Sequence, residues 1–79
     1  MDYPIIVSVE LIDRNDGGLD VRSGDLPGLI ISGVDREKVR AAIVPAIRAL
    51  LQHGGKNVGD IIPFGDDHEH FRQYEARAA

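Results

Sequence analysis

Apolar residues in the middle of the chain recur at steps of three and four, the spacing that places side chains on one face of an α-helix. Asp35 can cap the first turn, because its carboxylate can accept from backbone N–H groups that lack helical partners. Gly54 and Gly55 follow the last turn, where helices commonly end. The pattern predicts an amphipathic helix over residues 35–53. Its apolar face comprises Val39, Ala42, Ile43, Ala46, Ile47, Leu50 and Leu51.

Proline lies inside this predicted helix at position 45. Proline removes a backbone hydrogen bond and clashes with the preceding turn, so either the helix bends there or two shorter helices meet. Because the apolar periodicity continues across Pro45, we predict one kinked helix.

Two segments before the helix alternate apolar and polar residues, which is typical of half-buried strands. They span residues 3–12 and 19–23, and DRNDGG at 13–18 supplies residues that tolerate the positive φ of tight turns. An antiparallel hairpin is therefore predicted. Its apolar face comprises Tyr3, Ile5, Val7, Val9, Leu11, Leu19 and Val21.

A third strand is predicted at residues 29–32 and a fourth at 60–64, where Pro63 ends the ladder because proline cannot donate. A right-handed crossover would place the fourth strand parallel to the first and beside it. The predicted fold class is α+β, with element order β-β-β-α-β. The sheet would be four-stranded and mixed, in the order 3-2-1-4, with the helix packed on one face.

The turn before the third strand is assigned a structural role. Pro27 restricts φ and Gly28 permits unusual values of it, so Asp25, Pro27 and Gly28 set the bend between strands. The sheet face opposite the helix is predicted to be half apolar, which makes it a candidate contact surface. Its residues are Ile6, Ser8, Glu10, Ile12 and Ile30.

The segment at residues 66–79 is highly charged and weakly patterned. Phe71 and Tyr74 are spaced for one or two helical turns, but we expect a mobile tail. The predicted organisation is one domain at 1–65 followed by this tail.

Seventy-nine residues without cysteine make a small domain that has neither a disulfide nor a thiolate zinc site. Self-association is the expected supplement to so small a core, and we predict a homodimer. No apolar run is long enough to span a membrane, and the N-terminus lacks a signal pattern. The expected location is the cytoplasm.

Net charge is −4, with acids prevailing at residues 1–35 and 57–79 and bases at 36–56. An acidic surface repels phosphate and favours a basic protein partner. The alternative is a solvated surface with charges of both signs.

Several short motifs together resemble the HicB-like family of antitoxins. They are DLPGL at 25–29, Gly33 before the helix, Glu37 in its first turn, and Ile62-Pro63 after it. The stretch VPAIRALLQHGG at 44–55 is similar to an uncharacterised branch of that family.

This resemblance implies a partial RNase H-like fold and a protein that binds a small basic RNA-cutting toxin of the HicA type, covering its active site. Many family members add a ribbon-helix-helix or helix-turn-helix segment that binds DNA. The stretch after Pro63 is too short for either, so no DNA-binding module is expected.

No catalytic, cofactor or metal site is predicted, and we expect a protein that is not an enzyme. Two alternatives are weaker: a minimal nuclease using Glu10 and Asp60, and a metal site at Asp66, His68 and His70. The predicted toxin-binding residues are Glu10, Asp13, Asp16, Asp20 and Asp25. The main alternative function is a stand-alone, self-associating structural domain without a toxin partner.

Overall fold

The sheet has five strands, all paired antiparallel, in a computed structural model that describes residues 3–65 and 68–79. The strands are β1 (Ile5–Asp13), β2 (Leu19–Arg22), β3 (Ile30–Gly33), β4 (Val58–Phe64) and β5 (Phe71–Ala78). Two helices, α1 (Arg36–Ala41) and α2 (Ile43–His53), connect β3 to β4. The strand order is β3-β2-β1-β5-β4.

The α+β class is confirmed, but the predicted four-stranded mixed sheet in the order 3-2-1-4 is wrong. The helices carry the chain to the far edge of the sheet, and β5 then returns between β4 and β1, antiparallel to both. The segment expected to be a tail is therefore a central strand from Phe71 to Ala78. Residues 66 and 67 of that segment lie outside the described residues.

The pattern of β5 explains why it was missed. Tyr74 and Ala76 are buried and two positions apart, as expected for the covered face of a strand. Arg72, two positions before Tyr74, interrupts this apolar pattern with a charged residue. The residues between them are polar because the opposite face of the sheet is open. Half of the residues of this interior strand are thus charged or amide side chains, namely Arg72, Gln73, Glu75 and Arg77.

The helix begins as predicted and breaks slightly earlier than expected. The Asp35 side chain accepts from the backbone N–H groups of Glu37 and Lys38. The interruption falls at Ala42, not at Pro45 itself. Pro45 has no N–H to offer a carbonyl one turn earlier, so the two helical segments meet in the turn that precedes it.

The core lies between the helices and one face of the sheet, as the apolar periodicity predicted. Val39, Ile43, Ile47 and Leu51 of the helices are buried there. They pack against buried residues of the sheet and of the turn before β3, namely Val7, Val9, Leu11, Leu19, Val21, Leu29, Val58, Ile61, Tyr74 and Ala76.

Neither helix of the described part is long and apolar enough to cross a membrane.

Replacing Tyr74 tests the central position of β5. Tyr74→Ala should lower the free energy of unfolding by about 3 kcal/mol or more, as for other buried aromatic side chains. Urea denaturation followed by circular dichroism measures the change. Arg77→Ala in the same strand is the control, since Arg77 is exposed and should cost no more than about 0.5 kcal/mol. Equal effects of the two substitutions would contradict a buried central strand.

Gly18 offers a second test, of the close approach between β3 and the segment before β2. A Cβ at Gly18 would lie 2.1 Å from the carbonyl oxygen of Gly33. Gly18→Ala should therefore destabilise the protein by about 1–3 kcal/mol. At Gly24 a Cβ would meet nothing within 4 Å, so Gly24→Ala should be neutral or slightly stabilising in the same urea experiment. A Gly18→Ala variant as stable as Gly24→Ala would argue against this packing.

Candidate docking surface

The sheet face opposite the helices is the candidate functional surface, here called the open face. Side chains alternate between the two faces along each strand, and residues paired across neighbouring strands point to the same face. Starting from Ile6, Ser8, Glu10 and Ile12 of β1, the strand pairings therefore identify the other residues of the open face. The face comprises Ile6, Ser8, Glu10 and Ile12 of β1, Asp20 and Arg22 of β2, Ile30 and Ser32 of β3, Ile62 and Phe64 of β4, and Phe71, Gln73 and Glu75 of β5.

Exposed apolar side chains concentrate on the open face. Four of the five large hydrophobic residues exposed in the described part of the chain lie on it. Their exposed fractions are 72 % for Ile30, 43 % for Phe64, 42 % for Phe71 and 38 % for Ile12. The open face is therefore about half apolar, which makes it a candidate contact surface.

The polar groups at the centre of the open face differ in how they are satisfied. The Gln73 side-chain amide donates to the Ser8 hydroxyl at 3.1 Å, joining β5 to β1. Glu10 lies between Phe71 on β5 and Arg22 on β2. Glu10 is exposed, and its side chain forms no hydrogen bond or ion pair among the described residues.

Arg14 engages two of the predicted toxin-binding acids, Asp16 and Asp20. Its guanidinium lies 3.0 Å from the Asp16 carboxylate and 3.1 Å from that of Asp20, and it also donates to the Ser32 hydroxyl. This cluster ties the turn of the first hairpin to β3.

The contacts of Arg14 change the acidity of both carboxyl groups. The hydrogen bond from Arg14 lowers the pKa of Asp16, with help from the Gly18 backbone N–H. The Ser32 hydroxyl, followed by Arg14, lowers the pKa of Asp20. Both acids therefore stay ionised to lower pH than an isolated aspartate does.

Asp13 and Asp25 also have partners within the chain. Asp13 pairs with Arg36 at 2.9 Å, linking the end of β1 to the start of α1. The Asp25 carboxylate accepts from the Ser8 backbone N–H at 2.8 Å. The Asp25 carboxylate thereby binds the edge of β1 just beyond its pairing with β2, where no described strand lies.

The predicted structural turn has the expected geometry at Gly28, whose φ is +94°. Pro27 is exposed beside it, and the Leu29 N–H donates to the Leu26 carbonyl at 3.1 Å. The Asp25 carboxylate joins this turn to β1. A toxin-binding role for Asp25 stays a prediction.

The residues of the nuclease alternative do not come together. Glu10 and Asp60 were to face one another only if the first and fourth strands paired, and β5 separates those strands. Along β5 the register places Phe71 opposite Glu10 and Ala76 opposite Ile61, so the two acids also lie at different heights of the sheet.

The residues of the metal alternative are described only in part. Asp66 lies outside the described residues. The His68 ring accepts from the His70 backbone N–H at 3.1 Å, and the two ring centroids are 6.3 Å apart. No cluster of three or more His, Asp or Glu side chains suited to a metal occurs within residues 3–65 and 68–79.

Sequence reasoning missed Phe64 and Phe71 as surface residues. Phe71 was assigned to a tail, and Phe64 was considered only as the end of a strand. The alternation of Tyr74 and Ala76 with Phe71, Gln73 and Glu75 is the signal that could have found β5 and, through it, the larger open face.

Lowered pKa values make the Arg14 cluster sensitive to acid. Ionised Asp16 and Asp20 stabilise the fold fully above the unfolded pKa of about 4, and this contribution is lost as pH falls through their lower folded values. Arg14→Gln should therefore destabilise the protein most above about pH 5 and least near pH 2. Urea unfolding between these pH values measures the difference.

The control for Arg14→Gln is Arg77→Gln, which removes an equal charge from the far end of β5. It should leave the pKa values of Asp16 and Asp20 unchanged in carboxyl NMR titrations, whereas Arg14→Gln should raise both. A stability loss with no dependence on pH would show that Arg14 acts by packing and not by charge.

Comparison with known proteins yields no relative. No protein-family model, curated protein or solved structure matches the chain. The HicB-like relationship therefore stays a prediction from the motifs between residues 25 and 63. The open face and its contacts are the observations on which a function can be based.

Proposed function

We propose that the chain is a non-enzymatic protein-binding module of the antitoxin type, which docks a small basic protein on the open face. The observation that carries this proposal is the grouping of exposed Ile12, Ile30, Phe64 and Phe71 on one side of the sheet. Apolar burial at these positions would set the lifetime of the complex.

Glu10 is the main electrostatic contact in this proposal. It is exposed, lies beside Phe71, and has no described partner. A partner's Lys or Arg could meet its carboxylate and the Phe71 ring together, since cations are attracted to aromatic faces. The other four predicted acids already have partners within the chain and would act mainly through the long-range field that guides association.

The family resemblance supplies the partner's class. The proposed partner is a small basic RNA-cutting toxin of the HicA type, whose active site the open face would cover in the cytoplasm. The partial RNase H-like relationship belongs to the same proposal. In it, β1, β2, β3, the helices and β4 are the shared unit, and β5 is an addition between β1 and β4.

The second candidate is a self-associating structural domain with no toxin partner. The observation that favours it is the outer edge of β3, which the described residues leave without a strand partner. The two candidates differ in whether the native host contains another protein that binds the open face.

Affinity capture from the native host tests the proposal. The wild-type chain should retain a small basic protein that cuts RNA when isolated and is silenced by adding the wild-type chain back. Phe71→Lys should reduce retention at least tenfold, because it places a charge in the apolar contact. Ala49→Lys, on the exposed side of α2, is the matched control and should retain the protein fully.

Glu10→Lys separates charge from apolar contact in the same complex. It should slow association with the captured protein and weaken the dependence of that rate on salt, measured by surface plasmon resonance. Recovery of the bait alone would favour the structural domain. Equal retention by wild type and Phe71→Lys would exclude the open face as the docking surface.

A further inference from the structure

The two outer edges of the sheet differ in their readiness to accept another strand. At the β4 edge, Pro63 has no N–H and the ladder is irregular between Val58 and Ile61. The Arg48 guanidinium also donates to the Gly59 carbonyl at 2.6 Å. Proline, irregularities and nearby cations are features by which proteins prevent edge pairing.

The β3 edge has neither a proline nor an irregular ladder, and the Arg14 guanidinium near it donates to the Ser32 hydroxyl, not to a backbone carbonyl of β3. Its residues, Ile30–Gly33, include neither proline nor a charged side chain. Its neighbour on the inner side is β2, and no described strand lies on its outer side. The unpaired backbone groups of such an edge can hydrogen-bond to a further strand.

Exposed apolar residues flank this edge symmetrically. Ile30 at its start is 72 % exposed, and Val34 directly after its end is 67 % exposed. These are the two most exposed large hydrophobic residues of the described chain. Each is two positions from Ser32, so continued strand alternation would place all three side chains on one side.

We propose that β3 pairs antiparallel with β3 of a second copy of this chain, centred on Ser32. In this register Ile30 of each copy lies opposite Val34 of the other, and Ser32 lies opposite its own equivalent. Side chains directly opposite in antiparallel strands are close enough to pack. The pairing would bury four exposed apolar side chains while extending the sheet by backbone hydrogen bonds.

The second copy fits this edge because the pattern is complementary to itself. A two-fold contact requires that residue i meet residue j and that j meet i, which Ile30 and Val34 satisfy about Ser32. The obstructed β4 edge prevents further addition, so the assembly closes at two chains. The contact is short, and the dimer should therefore dissociate on dilution.

Sedimentation velocity over a range of concentrations tests the proposal on the full chain. The wild type should shift from monomer to dimer as concentration rises, and Ile30→Lys and Val34→Lys should each raise the dissociation constant at least tenfold. Both side chains are largely exposed, so circular dichroism should show an unchanged fold. Phe64→Lys, at the other edge of the open face, is the control and should dimerise like the wild type.

Two results of this experiment would overturn the proposal: a wild type that stays monomeric at all concentrations, or an equal loss of dimer in Phe64→Lys. Neither result depends on whether a toxin exists.

Single cysteines test the register, since the natural chain has none. Under mild oxidation Ser32→Cys should form a covalent dimer at least tenfold faster than Asp60→Cys, whose cysteine lies in the exposed part of β4. Equal or faster cross-linking of Asp60→Cys would place the contact elsewhere and overturn the β3 pairing.

Discussion

The pairing of β5 with strands on both of its sides is the constraint on which the rest of the structure depends. Among the described strands β4 has no other neighbour, and α2 packs on β4. Without β5, the backbone groups along one side of β1 and along β4 would lose their partners, and each unsatisfied buried group costs about 1–3 kcal/mol. A domain this small has little stability to spare. The last strand of the fold therefore holds the first and fourth in place.

The same strand builds the candidate docking surface. β5 places Phe71 beside Glu10 and Gln73 beside Ser8, and it connects the face of β1 to Phe64 of β4. An interior strand with one covered side and one open side needs apolar residues only on the covered side. That half of its residues are polar is thus a consequence of its position, and its one exposed aromatic ring, Phe71, is the exception that points to a contact.

Local patterns were sufficient to predict the first three strands, the helix and the side of the sheet that it covers. Short-range rules govern these features: alternation in β1, capping by Asp35, and three- and four-residue spacing from Val39 to Leu51. The position of β5 depends instead on its pairing with β1 and β4. Its own sequence, half of which is polar, gives little sign of that pairing. The contacts of the acids are hidden for the same reason, since Asp13 and Arg36 are distant in sequence and meet only after the fold has formed.

The proposed dimer contact and the proposed partner contact share Ile30 but otherwise occupy different parts of one sheet. Glu10 lies on β1 and Phe71 on β5, whereas the dimer contact runs along the outer side of β3. Strands lie about 4.8 Å apart, so the Glu10–Phe71 pair is on the order of 10–15 Å from that edge. Pairing in the Ser32 register continues both sheets with their open faces on the same side. A dimer would therefore present two docking surfaces side by side, and association with itself need not exclude association with a partner.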